Sequence, residues 1–132
     1  MSNQQLVATA FEMLAKSYVP YSGFPVGAAL LCADGTVFTG CNVENAAFGS
    51  TICAERTALV KAVSEGHRDD WVAIAIAGRG EDYCWPCGSC RQMLYEFAPD
   101  LRVIVARGDG DIRVLTLAEL LPCGFGPKSL EK

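Results

Sequence analysis

The segment WVAIAIA, residues 71–77, is the stretch that decides the fold class of this chain. Every residue in it is apolar, whereas a strand with one face in water alternates apolar and polar side chains. A short continuous apolar run is typical of a strand that is buried on both faces by helices. The sequence therefore predicts a central strand here, covered on both sides.

The segments that flank this strand predict the neighbouring elements. A helix is expected from about Cys53 to Glu65, and before it two apolar runs surround Asp34-Gly35, a pair that supplies the positive backbone angles of a hairpin turn. Downstream, a short helix is expected to begin near Cys87, and RVIVAR, residues 102–107, reads as a second buried strand.

The two ends of the chain complete this order of elements. Apolar positions from Leu6 to Tyr18 recur at helical spacing behind a Ser2 or Asn3 cap, and a short strand near Val114 precedes a helical turn at LAELL, residues 117–121. We therefore expect a single α/β domain over residues 1–132. It would be a three-layer α/β/α sandwich around a five-stranded mixed sheet, with parallel strand-helix-strand crossovers.

Composition restricts the class of partner. The net charge of −4 leaves no broad positive field for a polynucleotide backbone, so a small-molecule substrate is favoured over nucleic acid. No run approaches the ~18 apolar residues of a membrane span, and the amino terminus does not resemble a signal peptide, so we expect a cytoplasmic protein. The hydrophobic share of 51% favours a homo-oligomer that covers apolar surface.

The densest cluster of candidate ligands is CWPCGSC, residues 84–90, in a chain with 7 cysteines. An iron-sulfur interpretation would require a further cysteine at position 94, where the chain has Leu. A redox-dithiol interpretation would use CWPC or CGSC at a helix start, where the thiol pKa is lowered. The motif stands late in the chain, whereas a thioredoxin-like domain has its dithiol after an early strand.

A zinc site is the third interpretation. Cys87 and Cys90 have the two-residue spacer common in zinc sites, and Cys53 begins the other predicted helix. Three thiolates leave the fourth tetrahedral position open, which is typical of catalytic zinc. Glu55 lies two residues after Cys53 and is the candidate proton carrier of the same pocket.

Five separated motifs extend this pattern: YVPYSGFPVGAAL (18–30), NVENAAF (42–48), ICAERTAL (52–59), PCGSCRQ (86–92) and LLPCGF (120–125). CAE followed by PCGSC resembles the zinc deaminase signature, in the variant whose first ligand is cysteine instead of histidine. The whole set resembles the small homotetrameric cytidine deaminases over roughly residues 18 to 125.

The resemblance implies an activity, a cofactor and an assembly. The activity would be hydrolytic deamination of cytidine and deoxycytidine to uridine and deoxyuridine with release of ammonia, in pyrimidine salvage. The cofactor would be one Zn²⁺ per chain on the three cysteines, with Glu55 transferring protons. The assembly would be a homotetramer with active sites shared between subunits, without nucleic acid polymer or membrane partners.

The resemblance also implies the substrate contacts. Asn42 and Glu44 would bind the ribose hydroxyls, Phe24 would pack on the pyrimidine, and the backbone of Ala54 would face the base. Phe125 would complete the pocket of a neighbouring subunit. Position 48 is Phe, where many relatives have Tyr, so a hydroxyl contact near the sugar or the subunit boundary is missing.

Arg56 is the expected partner of the ligand sulfurs. Three thiolates place a charge of about −3 beside a divalent ion, which would weaken its Lewis acidity. Arg56 follows Glu55 on the helix and could donate hydrogen bonds to the sulfurs, a role that the family resemblance supports.

Two further readings stay open from the sequence. The chain could deaminate a modified cytosine nucleoside or antibiotic, or it could be a structural zinc module with Cys84 or Cys41 as a fourth ligand. Otherwise the remaining thiols are expected to be small buried groups. They are Cys32, Cys41, Cys84 and Cys123.

Overall fold

A computed structural model describes residues 1–131 and contains one five-stranded sheet in the order β2-β1-β3-β4-β5. The strands are β1 (Val26–Cys32), β2 (Val37–Cys41), β3 (Trp71–Gly78), β4 (Arg102–Ala106) and β5 (Ile112–Thr116). The helices are α1 (Asn3–Glu12), α2 (Ala54–Ser64), α3 (Gly88–Phe97) and α4 (Leu117–Leu120), with 3₁₀ turns at Met13–Lys16, Phe48–Ser50 and Pro127–Leu130. The predicted α/β class with a mixed sheet is confirmed.

The segment WVAIAIA forms the middle strand of this sheet, as predicted. β3 pairs antiparallel with β1 and parallel with β4, and α3 provides the crossover between the two parallel strands. The outer strands β2 and β5 each pair antiparallel with their neighbour. Only Val72 of β3 is exposed, so this strand is buried on both faces.

Helices cover the two faces of the sheet unequally. On one face, α1 packs on a surface made largely of alanines, which lets the helix approach the strands closely. On the other face, α2 and α3 pack on larger side chains. The second face includes Leu30, Ile74, Ile76, Val103 and Val105. The three predicted layers are therefore present, and the thicker layer contains both helices that begin with cysteine.

Two local expectations are corrected. In the hairpin turn only Gly35 has a positive φ, of 90°, whereas Asp34 uses its side chain to accept a hydrogen bond from the Thr36 amide at 2.9 Å. The first helix begins at the Ser2 cap but does not reach Tyr18, which instead forms a β-bridge with Val43. Pro20 disfavours helical backbone at Val19, the residue directly before it, so the helix cannot continue through this segment.

The longest helix of residues 1–131 is α2, with 11 residues. Within that part of the chain, no helix combines the length and the apolar character needed to cross a bilayer.

The backbones of α2 and β2 approach each other closely at Gly40. A Cβ atom at Gly40 would overlap the main-chain oxygen of Ala54 and lie 2.7 Å from the nitrogen of Ala58. The first turn of α2 therefore rests directly on the backbone of β2, and only glycine fits between them.

We expect Gly40→Ala to lower the free energy of unfolding by about 3 kcal/mol, because the added methyl group must push α2 away from β2. Urea unfolding at one fixed protein concentration measures the change. Gly49→Ala is the matched control, since a Cβ there meets nothing within 4 Å, and it should change stability by less than about 0.5 kcal/mol. Equal effects of the two substitutions would contradict the packing argument.

Candidate active site

Both helices of the thicker layer begin with a cysteine. Cys53 is the N-cap of α2 in extended conformation, and its side chain makes no capping hydrogen bond, so its sulfur is free to bind a ligand. Cys87 is the N-cap of α3 and accepts a hydrogen bond from the Cys90 amide at 3.4 Å. The positive end of a helix dipole favours a thiolate at both positions.

The fold brings these sulfurs together from distant parts of the chain. The Sγ atoms of Cys53, Cys87 and Cys90 lie within 4.8 Å of one another, and those of Cys87 and Cys90 are 3.4 Å apart. Cys90 is buried and Cys87 is exposed, so the cluster opens to solvent at one side. A three-thiolate donor set of this kind suits Zn²⁺. Within residues 1–131 no fourth protein ligand joins the group, which disfavours a closed structural site using Cys41 or Cys84.

The thiols of this cluster are hydrogen-bonded to one another, and this changes their pKa values. The pKa of Cys53 is lowered to about 6, first because Cys90 donates a hydrogen bond to its sulfur and further because Arg56 is close. The same bond raises the pKa of Cys90. One thiolate therefore forms readily near neutral pH, and a divalent cation would displace the remaining protons.

Glu55 is the only charged residue among residues 1–131 that is buried, with 5% of its surface exposed. Burial raises the pKa of its carboxyl group to about 7, and the nearby Cys53 contributes in the same direction. Glu55, Cys53 and Cys87 line one cavity of about 260 Å³. A carboxyl group with a pKa near neutrality can both accept and return a proton under physiological conditions.

Several predicted substrate residues lie at the same cavity. Phe24, Asn42 and Ala54 are in its wall. The ring of Phe24 lies across the end of β3, where a Cβ at Gly78 would be 3.4 Å from it. Four other residues of the wall were not predicted from the sequence, and only their closeness to the quoted motifs could have indicated them. They are Val26, Thr51, Cys84 and Trp85.

Asn42 and Glu44 both hold the loop that carries Phe24. Asn42 accepts from the Val26 amide and donates to the Phe24 carbonyl, each at 2.9 Å. Glu44 accepts from the amides of Tyr21 and Ser22 at 3.0 and 3.1 Å. Glu44 lies in an adjoining hollow that shares Thr51 with the main cavity. Its second carboxylate oxygen has no hydrogen bond within residues 1–131.

Arg56 is half-buried and lies beside the sulfurs. Hydrogen bonding to Cys90, followed by Cys87, raises the pKa of its guanidinium group. Its Nε atom is buried and has no partner within the described residues 1–131. The guanidinium group is close enough to donate hydrogen bonds to the sulfurs, and its role in offsetting their charge stays a prediction.

Phe125 and Cys123 lie outside the cavity of their own chain. Phe125 is 57% exposed, and its carbonyl accepts from Gln92 at 2.7 Å on the outer side of α3. The expectation that Cys123 is buried is wrong, because it stands on an exposed turn with a positive φ of 54°. Cys32 is buried as expected, and Cys41 and Cys84 are half-buried.

Comparison with known proteins agrees with this geometry. The model of the cytidine and deoxycytidylate deaminase zinc-binding region matches residues 1–106. The chain belongs to this deaminase family. The family resemblance drawn from the five motifs is therefore confirmed.

Relatives within the family are similar over almost their whole length. The cytidine deaminase of Halalkalibacterium halodurans is 50% identical over 126 residues, which cover 95% of each chain. The crystal structure of cytidine deaminase from Burkholderia pseudomallei has a TM-score of 0.92 at 46% identity and covers 95% of this chain and 100% of that one. The Mycobacterium tuberculosis enzyme has a TM-score of 0.83 at 39% identity, over 96% of this chain and 98% of the other.

The buried carboxyl group makes the stability of the metal-free protein depend on pH. The pKa of Glu55 is about 7 in the folded state and near 4.5 in the unfolded chain, so the folded state keeps a proton that the unfolded state has released. We expect the free energy of unfolding to fall as pH rises from about 4.5 to about 7. Glu55→Gln should remove that part of the slope and stabilise the metal-free protein at pH 8 by roughly 3 kcal/mol.

Urea unfolding of chelator-treated protein across this pH range measures the effect. Glu65→Gln, at an exposed position that ends the same helix, is the control and should keep the wild-type profile. If the free energy of unfolding changed with pH in the same way in wild type and in Glu55→Gln, the assignment of the buried proton to Glu55 would be contradicted.

Proposed function

We propose that this protein deaminates cytidine and deoxycytidine hydrolytically to uridine and deoxyuridine, releasing ammonia. The observation that carries the proposal is the shared cavity of a buried carboxyl group, Glu55, and the sulfurs of Cys53 and Cys87. Family members that are 50% and 46% identical to this chain are cytidine deaminases. The reaction would serve pyrimidine salvage in the cytoplasm.

The donor set supports one Zn²⁺ per chain on Cys53, Cys87 and Cys90. When bound, the ion supplies the Lewis acidity that makes water nucleophilic near neutral pH. Arg56 lies beside the sulfurs and balances part of their charge. The three cysteines come from the starts of two helices, so their relative position is fixed by the sheet beneath.

Glu55 moves the protons of the reaction. Its carboxylate takes a proton from the attacking water and delivers it to N3 of the cytosine ring, while the water oxygen bonds to C4. Glu55 then takes the remaining proton from the new hydroxyl group on C4 and passes it to the amino group. The bond from C4 to nitrogen breaks, the C4 carbonyl of uridine forms, and ammonia leaves. The raised pKa of Glu55 suits both steps, since the group must accept and donate within one cycle.

The cavity walls would orient the nucleoside. Phe24 offers a ring face to the pyrimidine, and the main chain of Ala54 borders the same space. The Asn42 amide group offers both an acceptor and a donor to the ribose hydroxyls. The Glu44 carboxylate oxygen that does not bind the Tyr21 and Ser22 amides offers a further acceptor. Sites that hydrogen-bond a hydroxyl reject analogues lacking it, so this pair favours a nucleoside over free cytosine.

We expect purified protein to lower the absorbance of cytidine near the cytosine band with release of ammonia, and a strong zinc chelator to abolish this. Glu55→Gln should keep the fold and the bound zinc but lose activity by about 10²–10⁴-fold, because the proton carrier is removed while its shape is kept. Absorbance assays measure the turnover, and metal analysis of the same samples measures the bound zinc.

Glu65→Gln serves as the matched control on the same helix and should retain full activity. Undiminished deamination by Glu55→Gln would refute the proton role. No turnover of cytidine or deoxycytidine by zinc-loaded wild type would refute the proposed substrate, and would point to a modified nucleoside or to a structural zinc.

We further propose a homotetramer in which Phe125 of one subunit completes the site of another. Support comes from its position, since Phe125 is exposed and lies outside the cavity of its own chain. Tyr21 and Phe48 form an exposed edge-to-face pair, with ring centroids 5.6 Å apart, at the hollow next to the cavity. An apolar rim of this kind is suited to burial by a second subunit.

Intersubunit complementation tests this arrangement. Chains with Glu55→Gln and chains with Phe125→Ala should each be impaired alone. Co-expressed in equal amounts, they should recover about a quarter of wild-type activity, because some sites combine an intact Glu55 with a neighbour's Phe125. Pairing Glu55→Gln with the double variant Glu55→Gln/Phe125→Ala is the control and should recover nothing. Activity equal to the sum of the separate variants would refute a shared site.

A further inference from the structure

A second cluster of metal-ligating side chains lies far from the proposed active site. One ligand atom each from Cys32, His67 and Asp70 fall within 4.8 Å of one another. They come from the end of β1 and from the loop between α2 and β3. Val26 pairs with Gly78 at the cavity end of these strands and Cys32 pairs with Trp71 at the other end. Six residue steps along a strand place the cluster roughly 20 Å from the catalytic end.

The backbone around this second cluster is firmly held. The His67 amide donates to the Ala62 carbonyl at 2.9 Å, and the His67 carbonyl accepts from the Trp71 indole at 2.8 Å. The Asp70 carbonyl accepts from the Ala33 amide at 2.7 Å. The side chains therefore project from a fixed frame, and little ordering would be needed to bind an ion.

The ring of His67 stands between two carboxylates. Its Nδ1 atom is 2.7 Å from Oδ2 of Asp70, and its Nε2 atom is 3.9 Å from Oδ2 of Asp34. The edge of the ring packs against Phe38, with centroids 5.2 Å apart. Both ring nitrogens therefore face a carboxylate oxygen. These contacts and the packing against Phe38 fix the orientation of the ring.

One oxygen of this group lacks a partner. Oδ1 of Asp70 is buried and makes no hydrogen bond within residues 1–131. A buried acceptor without a donor is unfavourable, and a cation beside it would remove that cost. The thiol of Cys32 is also buried, at 1% exposure, and its sulfur lies within 4.8 Å of a carboxylate oxygen of Asp70.

We propose that Cys32, His67 and Asp70 bind a second divalent ion, Zn²⁺ by their chemistry. Sulfur and imidazole exclude the hard ions Mg²⁺ and Ca²⁺, and a mixed sulfur, nitrogen and oxygen set is typical of zinc. Asp34 faces the other nitrogen of the ring and adds negative charge beside the site. The bound ion ties the end of β1 to the loop that follows α2.

Zinc stoichiometry tests the proposal in the intact protein. Wild type dialysed against micromolar zinc should retain two ions per chain, whereas His67→Gln and Asp70→Asn should each retain one, with cytidine turnover unchanged. The thermal midpoint of wild type should rise with the second equivalent and that of the variants should not. Asp69→Asn, next to the cluster and exposed, is the matched control and should retain two.

One zinc per chain in wild type, or two in both variants, would overturn the proposal and leave His67 as an ordinary ion-pair residue. If the variants do not fold, ¹¹³Cd NMR of wild-type protein loaded with ¹¹³Cd²⁺ tests the proposal instead. Two signals are expected, one from a site with three sulfur ligands and one further upfield from a site with a single sulfur ligand. A lone three-sulfur signal overturns the proposal. Because this readout does not depend on turnover, its outcome is separate from that of the deaminase proposal.

Discussion

The site depends on two helices that begin at the same end of one sheet. α2 is fixed because Gly40 lets its first turn rest on the backbone of β2. α3 is fixed because it is the crossover between the parallel strands β3 and β4, which can follow only one hand. The N-caps of both helices are cysteines, so the packing of the thicker layer sets the distances between their sulfurs.

Placing the proton carrier beside this cluster has a structural cost. Glu55 is in the first turn of α2, where a partial positive charge favours a carboxylate, yet burial dominates and raises its pKa to about 7. A surface glutamate would be fully ionised and would hold a proton too weakly to return it. The same burial destabilises the metal-free fold near neutral pH, so the protein trades some stability for a group that titrates in the useful range.

The part of the cavity wall that carries Phe24 is organised by hydrogen bonds. Asn42 and Glu44 hold the main chain of the loop that presents Phe24, and each still has hydrogen-bonding capacity for a ligand. These two residues therefore have a structural and a proposed binding role at once. A substitution of either would disturb the position of Phe24 as well as any contact with a sugar, and kinetic effects at these positions combine both causes.

The sequence by itself determined the order of elements, the covered central strand, the family and the three cysteines, because periodicity, helix caps and motif spacing are local properties that survive in the linear chain. It failed at Tyr18, where pairing with Val43 overrides helical periodicity, and at Cys123, whose exposure depends on how the last segment leaves the sheet. Only the tertiary structure could decide that Glu55 is buried, that Asn42 and Glu44 brace the Phe24 loop, and that Cys32 meets His67 and Asp70. These facts arise from contacts between residues distant in sequence, and no local pattern encodes the solvent exposure or the hydrogen-bond partners that such contacts create.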